Sequence, residues 1–178
     1  MTAHPHLIFE SLSEFESAST MVKTGNYKLR ASPAAGVGGM YATSNGTFKI
    51  VTTAAQVPST FERQTWRITV VEGKKDTYTI VLVHKDEIAL GGSWALDNVN
   101  EGYEDVPRGP IITAAEVFEW HITPTNNTSI HNTYFIQPIT KAVGASYYVG
   151  TDAERQLIIR AIPILEHPVV EPPYWQFH

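Results

Sequence analysis

The chain has no cysteine among its 178 residues, which excludes disulfide scaffolds, thiol nucleophiles and cysteine metal sites together. Charge is also sparse, at 17% of residues, with 13 basic side chains against 18 acidic ones and a net charge of −5. No Lys/Arg run breaks that balance. A nucleic-acid binder ordinarily carries a basic face, so no nucleic-acid partner is expected. Long hydrophobic runs are missing as well, since nothing approaches the roughly 18 to 20 apolar residues of a membrane helix. Met1 to Leu12 contains neither Lys nor Arg, and its apolar run is only Leu7-Ile8-Phe9, which fails the pattern of a secretory leader. The expectation is a soluble, cytoplasmic protein without membrane contact. The sequons at Asn45, Asn126 and Asn127 would then stay unmodified.

Catalytic signatures are absent too. There is no Gly-x-Ser-x-Gly elbow and no His-Glu-x-x-His. The glycine cluster Gly36-Val37-Gly38-Gly39-Met40-Tyr41 has Tyr41 where a dinucleotide fingerprint needs its third glycine, and it precedes a strand instead of a helix. The seven histidines are scattered. His121 follows an inward Trp120 and is expected to face outward; His4 and His6 have no neighbours to complete a metal-ligand set. Glu101, Glu104 and Asp105 read as a solvated loop and not as the paired carboxylates of a glycosidase. No catalytic residue, metal or cofactor is expected, and the chain is not read as an enzyme.

What the chain does have is repetition. Phe61-Glu62-Arg63-Gln64-Thr65-Trp66-Arg67-Ile68-Thr69-Val70 ends in a period-2 pattern, with Trp66, Ile68 and Val70 on one face, the signature of a half-buried strand. The pattern returns at Trp120-His121-Ile122-Thr123 and Trp175-Gln176-Phe177-His178, at intervals of 54 and 55 residues. Each tryptophan strand has an earlier tyrosine strand, beginning at Tyr27, Tyr78 and Tyr134, with intervals of 51 and 56 residues. Between them come a glycine-aromatic strand (Gly39–Ala42, Gly92–Ala95, Ala145–Tyr148) and a β-branched one (Phe48–Val51, Pro110–Thr113, Leu157–Arg160). Turn chemistry marks the joins, as in Ser44-Asn45-Gly46-Thr47 and Thr125-Asn126-Asn127-Thr128. Four strands in each of three repeats predict an all-β chain of twelve strands. Three such units close into a six-stranded barrel capped by three hairpins, a β-trefoil with pseudo-threefold symmetry. Its Tyr and Trp positions are expected to fill the core. Residues 1–22 lie outside the repeat and are read as an N-terminal extension to a domain over 23–178.

Gln64-Thr65-Trp66 fits the Gln-x-Trp pattern of ricin-type lectin trefoils, but the equivalent triplets are Phe118-Glu119-Trp120 and Pro173-Tyr174-Trp175. Only the tryptophan repeats, as core packing alone would require. A carbohydrate-binding trefoil is therefore an alternative function. A second resemblance covers more of the chain. Gly25-x-Tyr27-x-Leu29-Arg30-Ala31, then Gly36-Val37-Gly38-Gly39-x-Tyr41-Ala42-Thr43, then Phe61-Glu62-Arg63-Gln64-x-Trp66, and finally Pro173-x-Trp175-x-Phe177 resemble the mycocypins, the clitocypin-like fungal inhibitors of cysteine proteases. The resemblance is strong over residues 25–70 and weaker beyond.

That resemblance implies a cysteine-free β-trefoil, with no enzymatic activity, that occludes the cleft of papain-like cysteine proteases reversibly. Two loops would do this: the one between the first and second strands of the repeat, with Pro33, Ala34, Ala35, Gly36, Val37, Gly38 and Gly39, and the one between the third and fourth, with Gln56, Val57, Pro58, Ser59 and Thr60. Glycines permit close backbone approach, prolines lower the ordering cost, and loops anchored at both ends are pre-organised for docking. A third loop, read at His84-Lys85-Asp86-Glu87, lacks the Asn that the family uses against legumain. Lys85, with Asp86, would instead suit a trypsin-type serine protease, a further alternative. The protein is expected to act as a monomer.

Overall fold

The structure, a computed structural model, describes residues 21–32, 39–83, 92–97, 106–127, 129–165 and 170–178. Among these residues thirteen strands follow in order: β1 (Gly25–Tyr27), β2 (Leu29–Ala31), β3 (Tyr41–Thr43), β4 (Thr52–Ala54), β5 (Trp66–Val70), β6 (Thr77–Leu82), β7 (Ser93–Leu96), β8 (Ile111–Ala114), β9 (Glu119–Pro124), β10 (Thr133–Pro138), β11 (Ala145–Thr151), β12 (Leu157–Pro163) and β13 (Trp175–Phe177). Period-2 burial explains the barrel strands. Trp66 and Ile68 are buried while Arg67 is exposed, and Trp120 and Ile122 are buried on either side of a half-buried His121. Asp76 and Asn132, at φ +50° and +56°, turn the chain into β6 and β10. These are among the residue types that best tolerate the left-handed region.

The pairing is that of a β-trefoil. The first and last strands of each repeat pair with each other: β1 with β5, β6 with β9, and β10 with β13. Each last strand also pairs with the first strand of the next repeat: β5 with β6, β9 with β10, and β13 with β2. β1 and β2 are one strand interrupted at Lys28, whose N–H donates to the His178 carbonyl at 2.9 Å and whose carbonyl accepts from the His178 N–H at 3.1 Å. The expected twelve strands therefore become thirteen by this single interruption, and the barrel closes with six walls. The middle strands of each repeat form the capping hairpins β3–β4, β7–β8 and β11–β12. These touch one another through the bridges Ile50↔Ile112, Thr52↔Gln156 and Pro110↔Ile158.

One expected strand moved. Phe48 lies in a turn, Lys49 in a bend and Ile50 in an isolated bridge to Ile112, and β4 begins at Thr52. Gly46 and Phe48 both have positive φ, at +107° and +56°, and the backbone that follows bonds to the second repeat instead of to β3. The Phe48 N–H donates to the Thr113 carbonyl at 2.7 Å, and that of Val51 to the Ile111 carbonyl at 2.8 Å. Val51 is buried and Ile50 half-buried, both paired with a neighbouring repeat.

The core is a tryptophan cluster. Each last-strand tryptophan donates its indole N–H to the second strand of its own repeat: Trp66 to the Ala42 carbonyl at 2.9 Å, Trp120 to Trp94 at 3.1 Å and Trp175 to Val149 at 2.8 Å. Trp94 breaks the symmetry. Its ring meets Trp66, Trp120 and Trp175 edge-on at centroid distances of 5.5, 6.3 and 5.9 Å, the offset geometry that aromatic quadrupoles favour. The equivalent positions are Ala42 and Val149, so one large ring from the second repeat fills the axis that small side chains leave open in the other two. At the other end of the barrel, Val22 is buried in the core, and the Tyr27 hydroxyl donates to the Lys23 carbonyl at 2.8 Å.

Candidate functional site

The two loops singled out in the sequence share a root. Tyr41 opens β3 and pairs with Arg30 of β2 on one side and with Ala54 of β4 on the other. The chain between β2 and β3 and the chain between β4 and β5 thus leave the fold at the same end of one short strand. Of the first loop, Pro33, Ala34, Ala35, Gly36, Val37 and Gly38 lie outside the described residues; so do Lys85 and Asp86, and Glu101, Glu104 and Asp105.

Gly39 closes the first loop. Its φ is +70°, and a Cβ there would sit 2.7 Å from Arg30 Nε and 3.2 Å from the Tyr41 ring. Glycine is required twice over, by backbone dihedral and by the close approach of Arg30. Burial, and then the positive charge of Arg30, hold the His178 imidazole below its usual pKa. His178 packs edge-on against Tyr41 at 6.0 Å, so Arg30, Tyr41 and His178 cluster where β2 and β3 pair.

The second loop holds itself in shape. The Val57 N–H donates to Thr60 Oγ1 at 3.2 Å, and the Thr60 hydroxyl points back at the carbonyls of Ala55 (2.8 Å) and Val57 (3.0 Å). The N–H groups of Thr60 and Phe61 both reach the Val57 carbonyl, at 2.9 and 3.0 Å, and a single 3-10 turn (Phe61–Arg63) leads on toward β5. Gln56, Val57, Pro58 and Ser59 are left exposed at the tip, with Val57 at 44%, while Thr60 is half-buried beneath them. Every bond within the loop reduces the entropy that docking would otherwise remove.

Three residues that the sequence reading did not assign to the site hold this loop to the fold. Gln64 is fully buried, and its amide nitrogen lies 3.0 Å from Thr43 Oγ1 and 3.2 Å from the carbonyls of both Ala54 and Ala55. Arg63 Nη1 donates to the Ser44 carbonyl at 3.0 Å and to Asn45 Oδ1 at 3.4 Å. Lys28 places its ammonium 3.2 Å from the centroid of the Phe61 ring, and burial lowers its pKa. The signal for Gln64 was its phase, since a residue two before Trp66 faces inward with it. The partners of Arg63 and Lys28 lie in other strands and turns and leave no local mark.

The Gln-x-Trp triplet offers no face to a sugar. Trp66 is fully buried with its N–H given to Ala42, and the Gln64 amide nitrogen is taken up by Thr43 of β3, Ala54 of β4 and Ala55. By comparison with known proteins, a model of the clitocypin peptidase inhibitors matches residues 25–177. The chain belongs to the clitocypin family of peptidase inhibitors. It is accordingly not an enzyme, and its partner is a protease. No curated protein matches the chain. Among solved structures, that of a mosquitocidal holotoxin is similar at a TM-score of 0.60 and 13% identity, covering 88% of this chain but only 17% of the holotoxin chain. A designed threefold-symmetric protein, ThreeFoil, is similar at a TM-score of 0.50 and 13% identity, over 85% of this chain and 96% of its own. At such identities these likenesses bear on the fold alone, and for the clitocypin family member described above they agree with the trefoil pairing.

Proposed function

We propose that the protein inhibits papain-like cysteine proteases reversibly, by placing the 32–39 and 55–61 loops across the active-site cleft so that substrate cannot enter. The observation that carries this reading is the shared root at Tyr41, which pairs with Arg30 before the first loop and with Ala54 before the second. Two further features support it. Val57, Pro58 and Ser59 at the tip carry compact side chains that suit a narrow cleft, and the turn beneath them is bonded internally before any partner arrives. Inhibition of this kind needs no reactive group on the inhibitor; it requires only a rigid wedge.

The test is titration of papain, a cathepsin-L-like protease, legumain and trypsin with the purified protein. We expect stoichiometric, reversible inhibition of the papain-like enzymes at sub-micromolar protein, weakened by Gly39→Val, which forces Arg30 and the end of the first loop to move. Papain-like enzymes left untouched would overturn the reading; inhibition of trypsin alone would transfer it to Lys85.

A further inference from the structure

The stems of the two loops are close together. Adjacent strands lie about 4.8 Å apart, so β2 and β4, on either side of β3, are separated by only about 10 Å. A protein–protein interface of ordinary size covers about 800 Å² on each partner, which corresponds to a disc about 32 Å across. A protease centred on Tyr41 therefore extends beyond both stems.

On the side of the first loop away from the second, the next feature is a cleft of about 640 Å³. Ser32, at the stem of the first loop, donates its N–H to the Tyr174 carbonyl at 3.1 Å, and both residues line the cleft. Its walls are Ile158, Ala161 and Ile162 of β12 on one side and the 170–174 segment on the other. The two walls are drawn together at Gly150, where a Cβ would lie 2.9 Å from Pro173 Cγ. The lining is mainly aliphatic, with Arg160 and Glu171 adding one charge of each sign, and the Arg160 guanidinium is already committed to the Thr151 carbonyl. Val170, on the rim, is 58% exposed. A concavity of this size with an apolar lining and balanced charge suits an uncharged apolar group.

We infer that the cleft is a side pocket of the protease interface, receiving an apolar side chain from a surface segment of the same papain-like enzyme that the two loops engage. The inference rests on the function proposed above. It adds that part of the affinity, and of the discrimination among papain-like enzymes, comes from the third repeat and from outside the protease's active site.

Two variants test it. Ala161→Trp fills the cleft from an exposed position on β12, and Val170→Asp puts a charge on its apolar rim. Inhibition constants and dissociation rates for papain are measured beside thermal midpoints and beside the loop variant Gly39→Val. For either folded cleft variant, a rise of tenfold or more in the inhibition constant, arising mainly in the dissociation rate, supports the pocket. Cleft variants that inhibit as the parent does, while Gly39→Val is weakened, overturn the pocket and leave the two-loop reading standing. A parent protein that inhibits no papain-like enzyme overturns both.

Discussion

In the first repeat, the chain between the third and fourth strands (55–65) hangs on hydrogen bonds. Gln64 is buried beneath it, Thr60 closes its turn, and Arg63 reaches across to Ser44. In the third repeat the stretch of equal length, 164–174, ends on Pro173 packed against Gly150. Gln64 and Pro173 occupy the same place, two residues before a buried tryptophan, and each rests on the second strand of its repeat, Gln64 on Thr43 and Pro173 on Gly150. One position thus sets the rim in both repeats, by directional bonds in the first and by shape in the third. A directional anchor holds a loop in one register, whereas a packed one leaves a concavity beside it. The first repeat presents an internally bonded turn and the third a cleft. The second repeat presents neither form, because only 115–118 separate β8 from β9.

All three repeats meet at one tryptophan ring on the axis, and the largest effect comes from removing it. Trp94→Ala deletes the ring on which the other three tryptophans converge and is expected to cost about 3–5 kcal/mol, measured by denaturant unfolding. Inhibition by whatever protein remains folded should be unchanged, since the ring touches neither rim. A variant that kept its stability would show that the axis is not what the rims depend on. The next effect separates the rims. Gln64→Leu keeps the volume but takes the Gln64 amide from the Ala54 carbonyl and leaves the Ala55 carbonyl only the Thr60 hydroxyl, at a cost of about 1–3 kcal/mol. Hydrogen exchange should quicken at the N–H groups of Val57, Thr60 and Phe61 and stay constant in β11 and β12. Equal quickening in both repeats would mean that the loop is not held locally. The smallest effect is that of Lys28→Met, which removes the cation above Phe61 and should cost about 0.5–1 kcal/mol. A double-mutant cycle with Phe61→Leu isolates it, and a coupling energy near zero would make the contact incidental.

Much of this architecture was legible because it repeats. Trp66, Trp120 and Trp175 come at almost constant spacing, with period-2 neighbours, and each is buried with its N–H bonded to the second strand of its own repeat. What misled was local propensity. Phe48 to Val51 reads as a strand by composition, yet Gly46 and Phe48 hold it in a turn whose partners are Thr113 and Ile111. Gln64 left two readings open in the sequence. As part of a Gln-x-Trp triplet it suggested a ligand, and only its burial and its three acceptors reveal an anchor. Trp94 was visible as an aromatic in a strand, but nothing in its surroundings in sequence marks it as the residue on the axis.

By itself, the sequence determined the number of repeats, the inward face of each barrel strand and the places where the chain must turn. These are properties of spacing and of single residues, and they survive in one dimension. Tertiary structure alone decided that β3 stands between the two loops, that Arg63 and Lys28 brace one of them, and that Ser32 joins the first loop to a cleft in the third repeat. Each of these is a contact between segments far apart in the chain, set by barrel closure and by which repeat comes to lie beside which, and no local pattern encodes it.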